Sequence, residues 1–169
     1  MTNQNNVNNT TRELTLMALF IAMTTIATMI IRVPTITSGY VNIGDAMIFF
    51  VALSFGKKYG AICGGIGSAL ADLIGGYTHY ILITLVVKGL EGFVVGYLFK
   101  LGKKKAFVAP LACLVGGAIM VLGYFACEAT LLSYGMGALK SVVPNIVQAG
   151  TSLVLAQAMY FTYNKLLKK

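Results

Sequence analysis

The sequence predicts an all-α, polytopic membrane protein with six transmembrane helices and both termini in the cytoplasm. Three observations predict it. Apolar residues fill 57% of the 169 positions and charged residues only 11%, with a mean hydropathy of +0.81, a balance foreign to soluble domains. Apolar runs recur at close to the roughly 20 residues that a helix needs to cross hydrocarbon, which leaves room for six crossings and no separate soluble domain. Ten of the thirteen basic residues gather at alternate ends of these runs.

The opening stretch MTNQNNVNNT holds five Asn and no charge, so it lacks the basic start of a secretory signal. Residues 1–11 read as a disordered polar tail, and residues 12–169 as one transmembrane domain. Helices are expected near 12–32, 43–56, 59–75, 81–101, 107–133 and 143–164. The first stops at Arg32-Val33-Pro34 because proline disfavours helix at the residue before it, which leaves Pro34 to Asn42 as a loop. The second and third are short, spanning only about 21 to 26 Å at the helical rise. Pro144 reads as the start of the sixth.

With the N-terminus inside, Arg12, Lys57, Lys58, Lys100, Lys103, Lys104, Lys105, Lys165, Lys168 and Lys169 lie on the cytoplasmic side. Arg32 and Lys140 fall on the other. That asymmetry follows the positive-inside rule. It also accounts for the net charge of +8 without nucleic-acid binding.

Four of the five acidic residues, Asp45, Asp72, Glu91 and Glu128, lie inside apolar runs and in the same, outer half of the membrane. A carboxylate at the centre of a membrane helix costs on the order of 3 kcal/mol unless it faces protein or water. A polar cup open to the outside is the expected consequence. Lys88 and Glu91, three apart on one helix, can neutralise each other, and Asp72 lies on the neighbouring helix within reach of Lys88. Asp45 starts helix two near the positive end of its dipole. Asp45 and Asp72 are therefore assigned structural roles.

Met120, Tyr124 and Glu128 share a face of helix five, and Asn145 and Gln148 a face of helix six. These two faces are the expected walls of the cup, offering an aromatic surface with hydrogen-bond donors and acceptors for a small polar ring compound. His79 and Tyr80 sit between helices three and four, where His79 is a candidate for a lid. Gly60, Gly64 and Ser68, with Gly67, Ala71, Gly75, Gly92 and Gly96, form small-residue faces for close helix packing. Ala18 and Ala22 form another such pair, suited to an internal neighbour or to a partner helix.

An enzyme is not expected. A single His, the absence of His-x-x-x-His or Glu-x-x-His, and the absence of a Walker-type glycine loop leave no catalytic set, metal site or nucleotide cradle to assemble. No cofactor is implied. Cys63, Cys113 and Cys127 show no metal-ligand spacing and read as buried, reduced and structural.

The segments YVNIGDAMIFFVALSFG at Tyr40 to Gly56, GGIGSALADLIGGY at Gly64 to Tyr77 and KGLEGFVVGYL at Lys88 to Leu98 resemble the substrate-binding S components of energy-coupling factor (ECF) vitamin transporters. The resemblance implies a six-helix protein of the bacterial plasma membrane that takes up a vitamin or precursor at its outer face. It further implies docking on a transmembrane coupling subunit, the T component, attached to two cytoplasmic ATPases. Family members carry an Ala-x-x-x-Ala docking face on helix one, which falls on Ala18 and Ala22. The ligand site of the family uses the first outer loop and helices four to six. The candidate ligand set is accordingly Tyr40, Asn42, His79, Lys88, Glu91, Tyr124, Glu128, Asn145 and Gln148.

The resemblance is nearest to the branch for hydroxymethylpyrimidine or pyridoxine, with riboflavin and pantothenate members as neighbours. The acid-rich outer half disfavours a carboxylate ligand such as pantothenate unless Lys88 or Arg32 pairs with it. A self-contained secondary carrier is the rival class, but the internal repeat common in carriers is not visible.

Overall fold

A computed structural model describes residues 2–167, with side chains described from residue 10 onward. Six long helices follow one another: α1 (Thr2–Ile30), α2 (Gly44–Phe55), α3 (Lys57–Gly75), α4 (Ile81–Leu101), α5 (Val108–Thr130) and α6 (Leu139–Leu167). The backbone is helical back to Thr2, through the stretch expected as a tail. Thr10–Ile30, Thr78–Leu101, Val108–Thr130 and Gly135–Leu167 are long and apolar enough to cross a membrane. Helix α2 is apolar but shorter.

Its 12 residues rise only about 18 Å, and it lies at the centre of the bundle. Residues Ala46 to Phe49 and Val51 to Leu53 are all buried, which explains an apolar run without an amphipathic period. Phe49, Ala52 and Leu53 pack with Val95, Phe99, Ala109, Ala112, Cys113 and Ala156 from α4, α5 and α6. These side chains form an apolar core away from the hairpin. On the other side of α2, Met47 and Val51 meet Phe20 of α1 and Cys63 of α3.

Helices α3 and α4 come together on their glycines, as their spacing predicts. A Cβ at Gly60 would stand 2.6 Å from the carbonyl oxygen of Gly92, and one at Gly92 would stand 2.2 Å from that of Gly60. No side chain fits between them. Gly56, at φ 93°, makes the one-residue turn from α2 to α3 in a backbone region that other residues enter only with strain.

Two expectations change. The segment after Pro34 is an antiparallel hairpin of β1 (Val33–Pro34) and β2 (Tyr40–Val41), with Val33 opposite Val41 and Pro34 opposite Tyr40. Helix α6 begins at Leu139, so Pro144 lies inside it, where its missing N–H removes one bond from the helical ladder.

Candidate functional site

Polar side chains from every long helix except α2 converge beneath the hairpin. Ser68 and Asp72 stand one turn apart on α3, Thr84 and Lys88 on α4, Tyr124 and Glu128 on α5, and Ser141, Asn145 and Gln148 along α6. Residues so spaced share a face. With Thr28, Thr35, Gly39, Tyr40, Asn42 and Tyr80 they line a narrow cavity of about 30 Å³.

The hairpin is held down by side chains. Tyr40 donates from its hydroxyl to Asp72 Oδ1 at 2.6 Å, and the single Tyr80 hydroxyl proton lies between the Thr37 carbonyl at 2.9 Å and Glu128 Oε1. Burial, then the neighbouring Asp72 charge, push the Tyr40 phenol well above its ordinary range, so it remains a donor. Glu128 fastens the far side: Oε1 accepts from Tyr80 (2.8 Å) and Thr37 (3.2 Å), and Oε2 accepts from Ser141 Oγ. Asn42 donates its backbone N–H to Gln148 Oε1 at 2.7 Å, and its side-chain oxygen accepts from Gly44 N–H at 2.7 Å. That second bond is a local turn closing onto the start of α2.

Below the cavity lies a buried charged floor. Lys88 pairs with Asp45 and, at 3.3 Å, with Glu91 Oε2. The other Asp45 oxygen accepts from Gln148 Nε2 at 2.7 Å, so Asp45 is fully partnered. Glu91 is fully buried, and neither of its oxygens has a partner in hydrogen-bond geometry. Above them the Lys88 ammonium lies 5.6 Å from the Tyr124 ring centre, and Tyr124 bonds Thr84 at 2.9 Å. The Arg32 guanidinium covers the Tyr40 ring at 4.7 Å and donates to the Ala71 carbonyl at 2.7 Å. Around this site four carboxylates, Asp45, Asp72, Glu91 and Glu128, stand with two cations, Lys88 and Arg32.

Over residues 8–165 the chain matches the family described as ECF-type riboflavin transporter, S component. The chain belongs to this family of S components. It is similar to a protein of Pyrococcus woesei described as "Uncharacterized protein in gap 3'region", with 41% identity over 142 residues, covering 83% of this chain and 94% of the relative. It is also similar to the thiamine precursor transporter HmpT of Lactococcus lactis subsp. cremoris (strain MG1363), with 30% identity over 155 residues, 90% of this chain and 87% of the relative. This S component is thus a multi-pass membrane transport protein that serves a vitamin or vitamin precursor, and not an enzyme.

Within the S component, seven of the nine candidate ligand residues line the cavity: Tyr40, Asn42, Lys88, Tyr124, Glu128, Asn145 and Gln148. Glu91 lies behind Lys88 and does not reach it. His79 is exposed and rests against the Tyr80 ring at 4.7 Å between centres; Tyr80 is the residue that turns inward. Asp72, expected to be structural, lines the cavity, and its second oxygen has no partner. Its reach goes to Tyr40 of the hairpin, and Lys88 turns to Asp45 and Glu91. Asp45 lies in the floor, bonded to Lys88 and Gln148. Thr28, Thr35, Ser68, Tyr80, Thr84 and Ser141 were not singled out as ligand contacts. The four-residue steps Ser68/Asp72, Thr84/Lys88 and Ser141/Asn145 are the signal that finds most of them. Ala18 and Ala22 are exposed on the outer side of α1, flanked by the exposed Leu14, Leu19, Met23 and Ile26.

Proposed function

We propose that this S component captures the thiamine precursor hydroxymethylpyrimidine at the outer face of the plasma membrane and hands it to a T component driven by two ATPases. The carrying observation is the acid-lined, tyrosine-walled cavity, taken with the resemblance to a thiamine precursor transporter. Neutral or cationic nitrogen rings suit such a lining, and carboxylates do not. Pyridoxine shares these features and is the nearest alternative. Riboflavin is a second reading, favoured by the description of the family.

In this reading the chain crosses the membrane six times with both termini inside. Supporting it, Lys57, Lys58, Lys100 and Lys104 surround the end of the bundle opposite the cavity, and Lys58 pairs there with Glu13 of α1 at 3.3 Å. Ala18 and Ala22 form the docking face for the T component. Their exposure suits close approach by a partner helix, and among the described residues no internal neighbour covers them.

Mass spectrometry of the small molecule retained by gently purified protein, followed by calorimetry with hydroxymethylpyrimidine, pyridoxine and riboflavin, tests the reading. Saturable binding of hydroxymethylpyrimidine without ATP is expected. Binding of riboflavin alone would transfer the assignment to the second reading, and no saturable binding by folded protein would remove both.

A further inference from the structure

Among the described residues, four carboxylates are buried in the outer half, and their oxygens can be accounted for one by one. Asp45 is taken by Lys88 and Gln148, and Glu128 by Tyr80, Thr37 and Ser141. Glu91 does not line the cavity. Asp72 alone both lines it and keeps a free oxygen: Oδ1 accepts from Tyr40, and Oδ2 has no hydrogen-bond partner although the residue is only 3% exposed. Thr84 approaches the same carboxylate and shares a bond with Tyr124 in which either hydroxyl can be the donor.

A buried carboxylate oxygen without a donor is costly to leave unmatched, and it rewards a ligand that supplies an N–H. Lys88, the nearest internal cation on α4, is already held between Asp45 and Glu91. Among the described residues no side chain stands in hydrogen-bond geometry with Oδ2, and a ligand in the cavity can supply that donor. Opposite, the Asn145 amide is buried and makes no hydrogen bond to the protein among the described residues, so it can meet a ring nitrogen or hydroxyl with either end.

We propose that Asp72 is the specificity-determining residue of this site, accepting a hydrogen bond from an exocyclic amino group on a heteroaromatic ring. The inference rests on the proposed uptake of a pyrimidine and sharpens it, because pyridoxine carries no amino group on its ring. A ring with an oxo group in that place would present an acceptor to a carboxylate. Sites built to bond a ligand N–H reject analogues that lack it, because the protein group is then left buried and unmatched.

The test is calorimetry on the full chain with two probes: the aminopyrimidine that bears hydroxymethyl and methyl groups, and its counterpart with oxo in place of amino. The wild-type protein should prefer the amino compound by about ten- to a hundredfold. Asp72→Asn should lose affinity for it by a similar factor and narrow or reverse the preference, because an amide can donate to the oxo group. Tyr40→Phe removes the bond to Oδ1 and leaves the carboxylate, so it should keep the preference even where overall affinity falls. Equal weakening for both probes in Asp72→Asn, or the same loss of preference in Tyr40→Phe, would show that Asp72 only anchors the hairpin and would overturn the proposal. Wild-type protein that binds neither pyrimidine would overturn the uptake reading and this inference together, whereas tight amino-compound binding that survives Asp72→Asn would overturn the inference alone.

Discussion

The floor of the cavity and its rim are both acidic, yet they use their charges differently. In the floor, Asp45, Lys88 and Glu91 are almost wholly shielded from solvent and answer to one another. At the rim, Asp72 and Glu128 answer to hydroxyls, most of them carried by the hairpin and Tyr80. The difference separates assembly from recognition. The buried charges, with Gln148, tie α2, α4 and α6 together, while the rim carboxylates hold the hairpin down through neutral hydroxyls.

Removing the cation from the floor should have the largest effect. Lys88→Met leaves two carboxylates buried without their partner, and breaking a buried pair in this way costs about 3 to 5 kcal/mol. Thermal unfolding in detergent should show that loss, whereas Glu91→Gln, which removes the carboxylate that lacks hydrogen bonds, should shift stability by about 1 kcal/mol or less. Equal losses in the two variants would erase the distinction between a needed and a surplus charge.

At the rim the effect should fall on ligand, not on the fold. Glu128→Ala and Asn145→Ala should weaken binding roughly ten- to a hundredfold, from the loss of about 1.5 to 3 kcal/mol of hydrogen bonding to a charged or buried group. Glu128→Ala should also speed ligand exchange, since it releases Thr37 and Tyr80 together, and stopped-flow binding would register this. Unchanged affinity in both variants would move recognition away from α5 and α6.

The smallest effect on the isolated protein is expected farthest from both regions. Ala18→Leu with Ala22→Leu adds volume to an exposed face, so stability should stay within about 0.5 kcal/mol and ligand affinity should not change. Transport by the assembled complex should nevertheless be abolished, because the added side chains keep a partner helix at a distance. Vitamin uptake that survives the double substitution would remove α1 as the docking face.

The helical framework was legible because length and apolarity are written directly in the sequence. Boundaries slipped where tertiary contacts override a local rule. Pro144 marks a helix start by its chemistry, yet α6 begins a turn earlier, where Ser141 bonds both the Ala138 carbonyl and Glu128. The hairpin was hidden because two-residue strands carry no alternating pattern. Asp72 looked structural for a related reason: from sequence its nearest partner is the cation on the next helix. Only the folded loop shows that Tyr40 reaches it and that Lys88 is claimed by Asp45, 43 positions away. The hydroxyl lining was obscured because Ser and Thr in membrane helices often bond their own backbone, as Thr28 does to the Thr24 carbonyl at 2.8 Å.

The hairpin pairs its backbone only with itself, in a sheet of two strands, and every tether to the helices passes through a side chain. It can therefore lift as a unit without breaking any turn of helix. Such an opening belongs to the low end of the spectrum of local unfolding energies, far below the global stability. If ligand passes beneath the hairpin, entry and escape would share this one gate, at rates set by how often its side-chain tethers let go together. A ligand held from below by Asp72 and Asn145, as proposed, would lengthen its own stay by keeping the hairpin down.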